Sequence, residues 1–197
     1  MAFVRIYRLT AAALIVAAVG YQLGNTGSVV NFFSYFTILS NVFGAAVFVL
    51  AAVGRSTDLL RGAAVLYLVT TGIVFALLLA DISADVGLTR PWVDTVLHRV
   101  MPVVFALDWL IDPPRRAISI GAAARWLIFP LVYAAYGLIR GPIADWYPYP
   151  FLDPREHGYG TVALNCLGIA AGVILLAALI RWVGNGLRRR RSSRSPT

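Results

Sequence analysis

The sequence predicts an all-α membrane protein: a six-transmembrane-helix bundle with both termini cytoplasmic. Three observations carry this expectation. Of the 197 residues, 59% are hydrophobic and only 13% are charged, against about 25% charged in an ordinary soluble domain. Mean hydropathy is +0.76. The apolar residues gather into stretches of roughly 20, the length an α-helix needs to cross a bilayer core.

The stretches cover residues 3–23, 30–53, 60–82, 93–111, 119–139 and 161–183. Turn signals separate them: Gly24-Asn25-Thr26-Gly27, Gly54-Arg55-Ser56, Gly87 to Pro91, Pro113-Pro114, and a longer loop holding Pro142, Pro148, Pro150 and Pro154. The first stretch follows Arg5 and Arg8, as the apolar part of a signal peptide would. No A-x-A cleavage pattern follows it, so it is expected to be a retained helix. Residues 1–187 then form one six-span domain, and the Arg/Ser-rich residues 188–197 a basic, disordered cytoplasmic tail.

Orientation follows from arginine, since all 17 basic residues are Arg. With the N-terminus inside, thirteen fall on the inner side and only Arg90, Arg140 and Arg155 on the outer side, with Arg99 inside the fourth span. That asymmetry obeys the positive-inside rule and requires an even number of spans. Asp81, Asp85, Asp145, Asp153 and Glu156 lean to the outer ends. The net charge of +8 is thereby assigned to topology and membrane lipids, with no nucleic-acid partner expected. Arg-only basicity with abundant Ala, Val, Gly and Leu suggests a bacterial protein of the plasma membrane. The lone Cys166 excludes an internal disulfide. Trp92, Trp146, Tyr147, Tyr149 and Trp182 fall where amphipathic rings favour the headgroup level.

Polar residues inside spans are costly and usually face the bundle interior. In the second span, Asn31, Ser34, Thr37 and Asn41 share about one third of the helix circumference. Such a stripe either bonds neighbouring helices or lines a cavity. The fourth span holds Asp94, His98, Arg99, Pro102 and Asp108. Asp94 and His98 are helical neighbours, while Asp108 lies about 15 Å deeper. Both spans run from outside to inside. Thr37 and His98 are thus each about 8–10 Å below the outer interface. A hydroxyl and an imidazole meeting at that depth are the minimum of a base-activated nucleophile. Gln22, Thr70, Thr71, Tyr133, Tyr136, Thr161 and Asn165 are further polar candidates. The Asn165 amide suits either an interhelical hydrogen bond or a developing oxyanion. No CxxC, HExxH, GxSxG or Walker loop occurs, and two His with one Cys argue against a dedicated metal site. No cofactor is expected.

Three segments carry a resemblance. They are Phe33-Ser-Tyr-Phe-Thr37-Ile-Leu-Ser-Asn41, Leu97-His98-Arg-Val-Met-Pro102 with Asp108 following, and Trp146-Tyr-Pro-Tyr-Pro150-Phe-Leu-Asp153. In this order they resemble the androgen-induced and androgen-dependent membrane hydrolases, and more closely the bacterial Pr-six-Pr integral membrane family. The resemblance implies six spans, and a membrane Thr and His that hydrolyse fatty acid esters of hydroxy fatty acids. By motif these are Thr37 and His98. The His-to-Pro spacing is one residue shorter here than in the animal members. The expected function is a membrane-embedded hydrolase of lipid esters, with Thr37 as nucleophile and His98 as base. Asp94, Asn41 and Asn165 are supporting candidates, and the substrate is a lipid within the bilayer. A small-molecule transporter with the same polar stripes lining a path, and a non-catalytic scaffold, remain the alternative classes.

Overall fold

The computed structural model describes residues 2–80 and 90–193. The expected features at Asp81, Asp85, Gly87 to Thr89 and Arg194 lie outside the described residues. Every regular element among the described residues is helical. The helices are α1 (Ala2–Gly24), α2 (Val29–Phe32), α3 (Phe36–Ala52), α4 (Asp58–Val74), α5 (Pro91–Thr95), α6 (Met101–Ile111), α7 (Ile120–Ala124), α8 (Ile128–Ala144) and α9 (Pro154–Ser192). A π-helical turn, Phe75–Leu79, prolongs α4, and another, Val96–Val100, joins α5 to α6. A 3₁₀ turn at Arg125–Leu127 joins α7 to α8.

Side chains mark where several helices begin. Thr57, Ser119 and Asp153 each accept a backbone N–H of the first turn of α4, α7 and α9, satisfying donors that have no partner within the helix. Two expected boundaries are corrected. Pro142, expected in a loop, lies inside α8, which continues to Ala144 before turning at Asp145 in the left-handed conformation. Residues 188–192, expected in a disordered tail, prolong α9 to Ser192.

Helices stand at all six expected positions. Among the described residues, four helices are long and apolar enough to cross a membrane: Ala2–Gly24, Asp58–Leu79, Ile120–Ala144 and Gly158–Ser192. Phe36–Ala52 is apolar but shorter. The second stretch is not one helix, because the chain leaves helical geometry between Phe33 and Tyr35. The stripe from Asn31 to Asn41 is therefore split over two elements. Large apolar side chains point outward from α8 and α9, among them Leu131, Ile139, Leu167, Leu175 and Leu179.

The Asp58–Leu79 helix is the most enclosed of these four: its apolar window is 56% buried, against 28% for the next. It touches α3, α6, α7 and α9. At one end of this core lies an ion cluster that the arginine count had read only as a topology signal. Asp108 on α6 is 2% exposed and receives Arg8 Nε from α1 at 2.6 Å and Arg61 Nη2 from α4 at 2.9 Å. The Tyr7 hydroxyl donates to the same carboxylate. Arg8 and Arg61 also reach Asp112, at 2.8 and 3.4 Å. Burial opposes ionisation of Asp112. The hydrogen bond from Arg8, with the charges of Arg61, Arg8 and Arg191, outweighs it and holds the carboxyl below its usual range.

Removing one partner of a buried pair strands the other charge. Asp108→Asn is expected to cost about 3–5 kcal/mol, read as a lower unfolding midpoint in detergent. An unchanged midpoint would mean the cluster does not hold α1, α4 and α6 together.

Candidate active site

The site is built where α3 starts. A continuous helix would engage the Ser34 carbonyl in the helical ladder. The break frees it, and Tyr133 of α8 donates its hydroxyl to it at 2.9 Å. Ser34 Oγ donates to Val30 O at 2.7 Å, so the Tyr136 hydroxyl, 2.8 Å away, donates to Ser34. Arg140 Nη2 donates to Asn31 Oδ1 at 2.6 Å. One face of α8 thus satisfies the interruption. Tyr35 caps α3 without a side-chain bond, and the Thr37 N–H, in the first turn of α3, donates to the Tyr149 hydroxyl at 3.3 Å.

Thr37 is buried, and its Oγ1 lies 3.1 Å from His98 Nε2. The opposite ring nitrogen, Nδ1, is 3.0 Å from Asp94 Oδ1 and 3.3 Å from the Asp94 carbonyl oxygen. A carbonyl oxygen can only accept, so Nδ1 carries a proton, and in the neutral ring Nε2 offers its lone pair to the Thr37 hydroxyl. Phe75 stacks on the imidazole at 4.3 Å between centroids, and Arg99 lies 5.3 Å over the Phe75 ring. His98 and Phe75 both occupy π-helical turns. Such turns are frequent at functional sites.

Asn41 is fully buried. Its amide donates to Thr37 O at 2.9 Å and across to Leu97 O at 3.3 Å. It therefore ties α3 to the turn that carries His98. Asn165 is placed elsewhere: its amide donates to Phe151 O at 3.2 Å and steadies the turn after α8. Asp108 belongs to the ion cluster.

The residue that sequence reasoning missed is Tyr149, read there as part of an interfacial belt. Its ring is buried and its hydroxyl lies 3.4 Å from Thr37 Oγ1. Burial pushes this hydroxyl above its usual value, so it stays protonated at neutral pH. The turn that delivers it folds back on α8. A Cβ at Gly141 would stand 2.0 Å from the Tyr147 ring. Arg155 clips the turn, reaching Asp153 Oδ1 through Nε at 2.8 Å and Asp145 Oδ1 through Nη1 at 2.9 Å. Prolines on both sides of Tyr149 were the available signal of a fixed turn.

Beside Thr37 and Tyr149 lies a cavity of about 150 Å³ between α3, α4, α8 and α9. Thr37, Thr70, Thr71, Tyr133 and Tyr149 give its wall polar groups, and the rest of the wall is almost wholly apolar. Leu131 and Ile174 line it while remaining 62% and 53% exposed. The cavity therefore reaches the outside of the bundle between α8 and α9. Among the described residues, no group of three or more His, Cys, Asp or Glu side chains is placed to hold a metal ion. Searches of family models, curated proteins and solved structures found no match for the chain.

Close packing of α4 keeps the pair in register. A Cβ at Gly72 would lie 2.9 Å from the Pro102 ring and 3.2 Å from His98 O. Gly72→Ala is expected to cost about 1–3 kcal/mol by overpacking, measured by thermal unfolding. An unchanged or raised midpoint would show that α4 and the His98 turn have room to part.

Proposed function

We propose that the chain is a multi-pass membrane hydrolase of fatty acyl esters, with Thr37 as nucleophile, His98 as general base and acid, and Asp94 orienting the imidazole. The observation that carries this reading is the chain of contacts from Asp94 Oδ1 to His98 Nδ1 at 3.0 Å and from His98 Nε2 to Thr37 Oγ1 at 3.1 Å. Its Thr37 end lines an apolar cavity. Nucleophile, base and orienting carboxylate in that order are the parts of a base-activated nucleophile. The resemblance of the three motifs to the androgen-induced hydrolases points to the same Thr and His.

In the proposed cycle, Thr37 Oγ1 attacks the ester carbonyl carbon as its proton passes to His98 Nε2. The carbon–oxygen bond to the alcohol breaks, and His98 returns the proton to the leaving oxygen. Water repeats the sequence on the acyl-Thr37 ester, releasing the fatty acid and restoring Thr37. A cavity of about 150 Å³ has the size of an engineered apolar cavity that admits benzene. It takes the acyl segment next to the ester, and the rest of the chain extends between Leu131 and Ile174 into lipid. No step calls for a cofactor.

The membrane arrangement is part of the same proposal: six spans, both chain ends cytoplasmic, and the Thr37 end of the bundle towards the outer leaflet of a bacterial plasma membrane. The thirteen-to-three distribution of arginine supports it. With Cys166 replaced by Ser, single cysteines in 143–157 are expected to react with an impermeant thiol reagent from outside. Labelling only from the inside would overturn the orientation.

Purified protein in detergent or nanodiscs is expected to hydrolyse long-chain acyl esters. Thr37→Ala should lower turnover by about three orders of magnitude or more, and Asp94→Asn by about 10²–10⁴. A folded Thr37→Ala protein with full turnover would remove Thr37 as nucleophile.

A further inference from the structure

Nucleophile and base account for two of the three needs of acyl transfer, and the third is a donor for the charge that forms on the carbonyl oxygen. We propose that the Tyr149 hydroxyl, together with the Thr37 backbone N–H, is the oxyanion site of this centre. The proposal rests on the hydrolase reading.

Tyr149 stands where such a donor is needed. Its oxygen is 3.4 Å from Thr37 Oγ1 and 3.3 Å from Thr37 N, and it lies on the cavity wall. His98 Nε2 is 3.1 Å from the same Oγ1, so base and phenol both converge on the attacking atom. Thr37 N–H lies in the first turn of the 17-residue helix α3 and has no intrahelical acceptor. It points along the helix axis, where the aligned peptide dipoles favour negative charge. In the resting protein this N–H and the phenol are bonded to each other. A carbonyl oxygen arriving between them takes both donors.

Other donors nearby are committed. The Asn41 amide is spent on Thr37 O and Leu97 O, the Asn165 amide on Phe151 O, and the Thr71 hydroxyl on Tyr67 O. Tyr133 gives its proton to Ser34 O. Thr70 lines the cavity with a buried hydroxyl that has no partner, which makes it the comparator.

As Thr37 Oγ1 bonds to the carbonyl carbon, the π electron pair moves to the carbonyl oxygen. Tyr149 O–H and Thr37 N–H donate to that oxygen without transferring their protons. The pair returns to re-form the carbonyl as the bond to the alcohol oxygen breaks.

The test compares wild type, Thr37→Ala, Tyr149→Phe and Thr70→Val in the full chain. It uses a nitrophenyl acyl ester as substrate, an acyl trifluoromethyl ketone that forms a tetrahedral adduct with a hydroxyl, and an acyl ether that cannot. Tyr149→Phe is expected to lower kcat by about 10²–10³ with little change in KM. It should weaken the ketone by a similar factor and leave ether binding intact, whereas Thr70→Val, on the cavity wall, is expected to change ketone and ether binding by the same factor. If Thr37→Ala abolishes turnover but Tyr149→Phe stays within about threefold of wild type, the oxyanion assignment is overturned and the hydrolase reading stands. A loss in Thr70→Val without one in Tyr149→Phe also overturns it. If wild type and Thr37→Ala are alike, the hydrolase reading itself fails. Should Tyr149→Phe lose ether binding through misfolding, fluorotyrosines at position 149 keep the hydroxyl and vary its acidity. A kcat that follows that acidity supports the assignment, and a flat series overturns it.

Discussion

A carboxylate shut away from solvent between two guanidinium groups governs how the bundle closes. Asp108 gathers Arg8 from α1 and Arg61 from α4 onto α6, and no two of these helices can slide without parting opposite charges. Within a low-dielectric surround such separation is far costlier than in water. The cost of burying three ionised groups is offset only while every partner is present. The buried face of α4 is otherwise largely apolar and tolerant of direction, while Trp126 donates to Leu59 O and the Arg115 and Arg116 N–H groups donate to Asp58 at the same end. The ion cluster adds a charged, directional restraint at that end.

The other end is held by a different economy of polar groups. Where the second stretch breaks, backbone carbonyls and N–H groups lose their helical partners, and apolar surroundings offer no replacement. Tyr133 of α8 supplies it to Ser34 O and Tyr149 of the turn beyond to the Thr37 N–H, while Tyr136 and Arg140 of α8 bond the Ser34 and Asn31 side chains. The aromatic groups near Thr37 are thus required first by the fold. A phenol that must sit at the start of α3 to satisfy an N–H also sits beside the Thr37 hydroxyl. Structure and chemistry place the same demand on it.

The helices and the nearness of Thr37 to His98 were legible in the sequence, because both follow from helical rise counted from span ends. The break at Ser34 was not. No proline or glycine marks it, and the polar stripe reads equally well as one helix. Its determinants sit about a hundred residues away on α8. The pairing of Asp108 with Arg8 was hidden for the same reason: the two are 100 positions apart, Arg8 alone fits the topology rule, and Asp108 alone reads as one more polar residue of the fourth span. Tyr149 was concealed by its company, since Trp146, Tyr147 and Tyr149 look alike to a rule about interfaces. Only the folded turn separates the buried Tyr149 from its neighbours.

The π turn between α5 and α6 has a geometric consequence. A π turn takes up one more residue than an α turn, and each residue of a helix advances the facing direction by about 100°. The turn at Val96–Val100 therefore sets the angular phase between His98, directed at α3, and Asp108, directed at α1 and α4. With a plain α turn in its place, the same helix would present one of these side chains correctly and swing the other away. The extra residue acts as a torsional spacer that lets one rod serve two polar centres facing different partners.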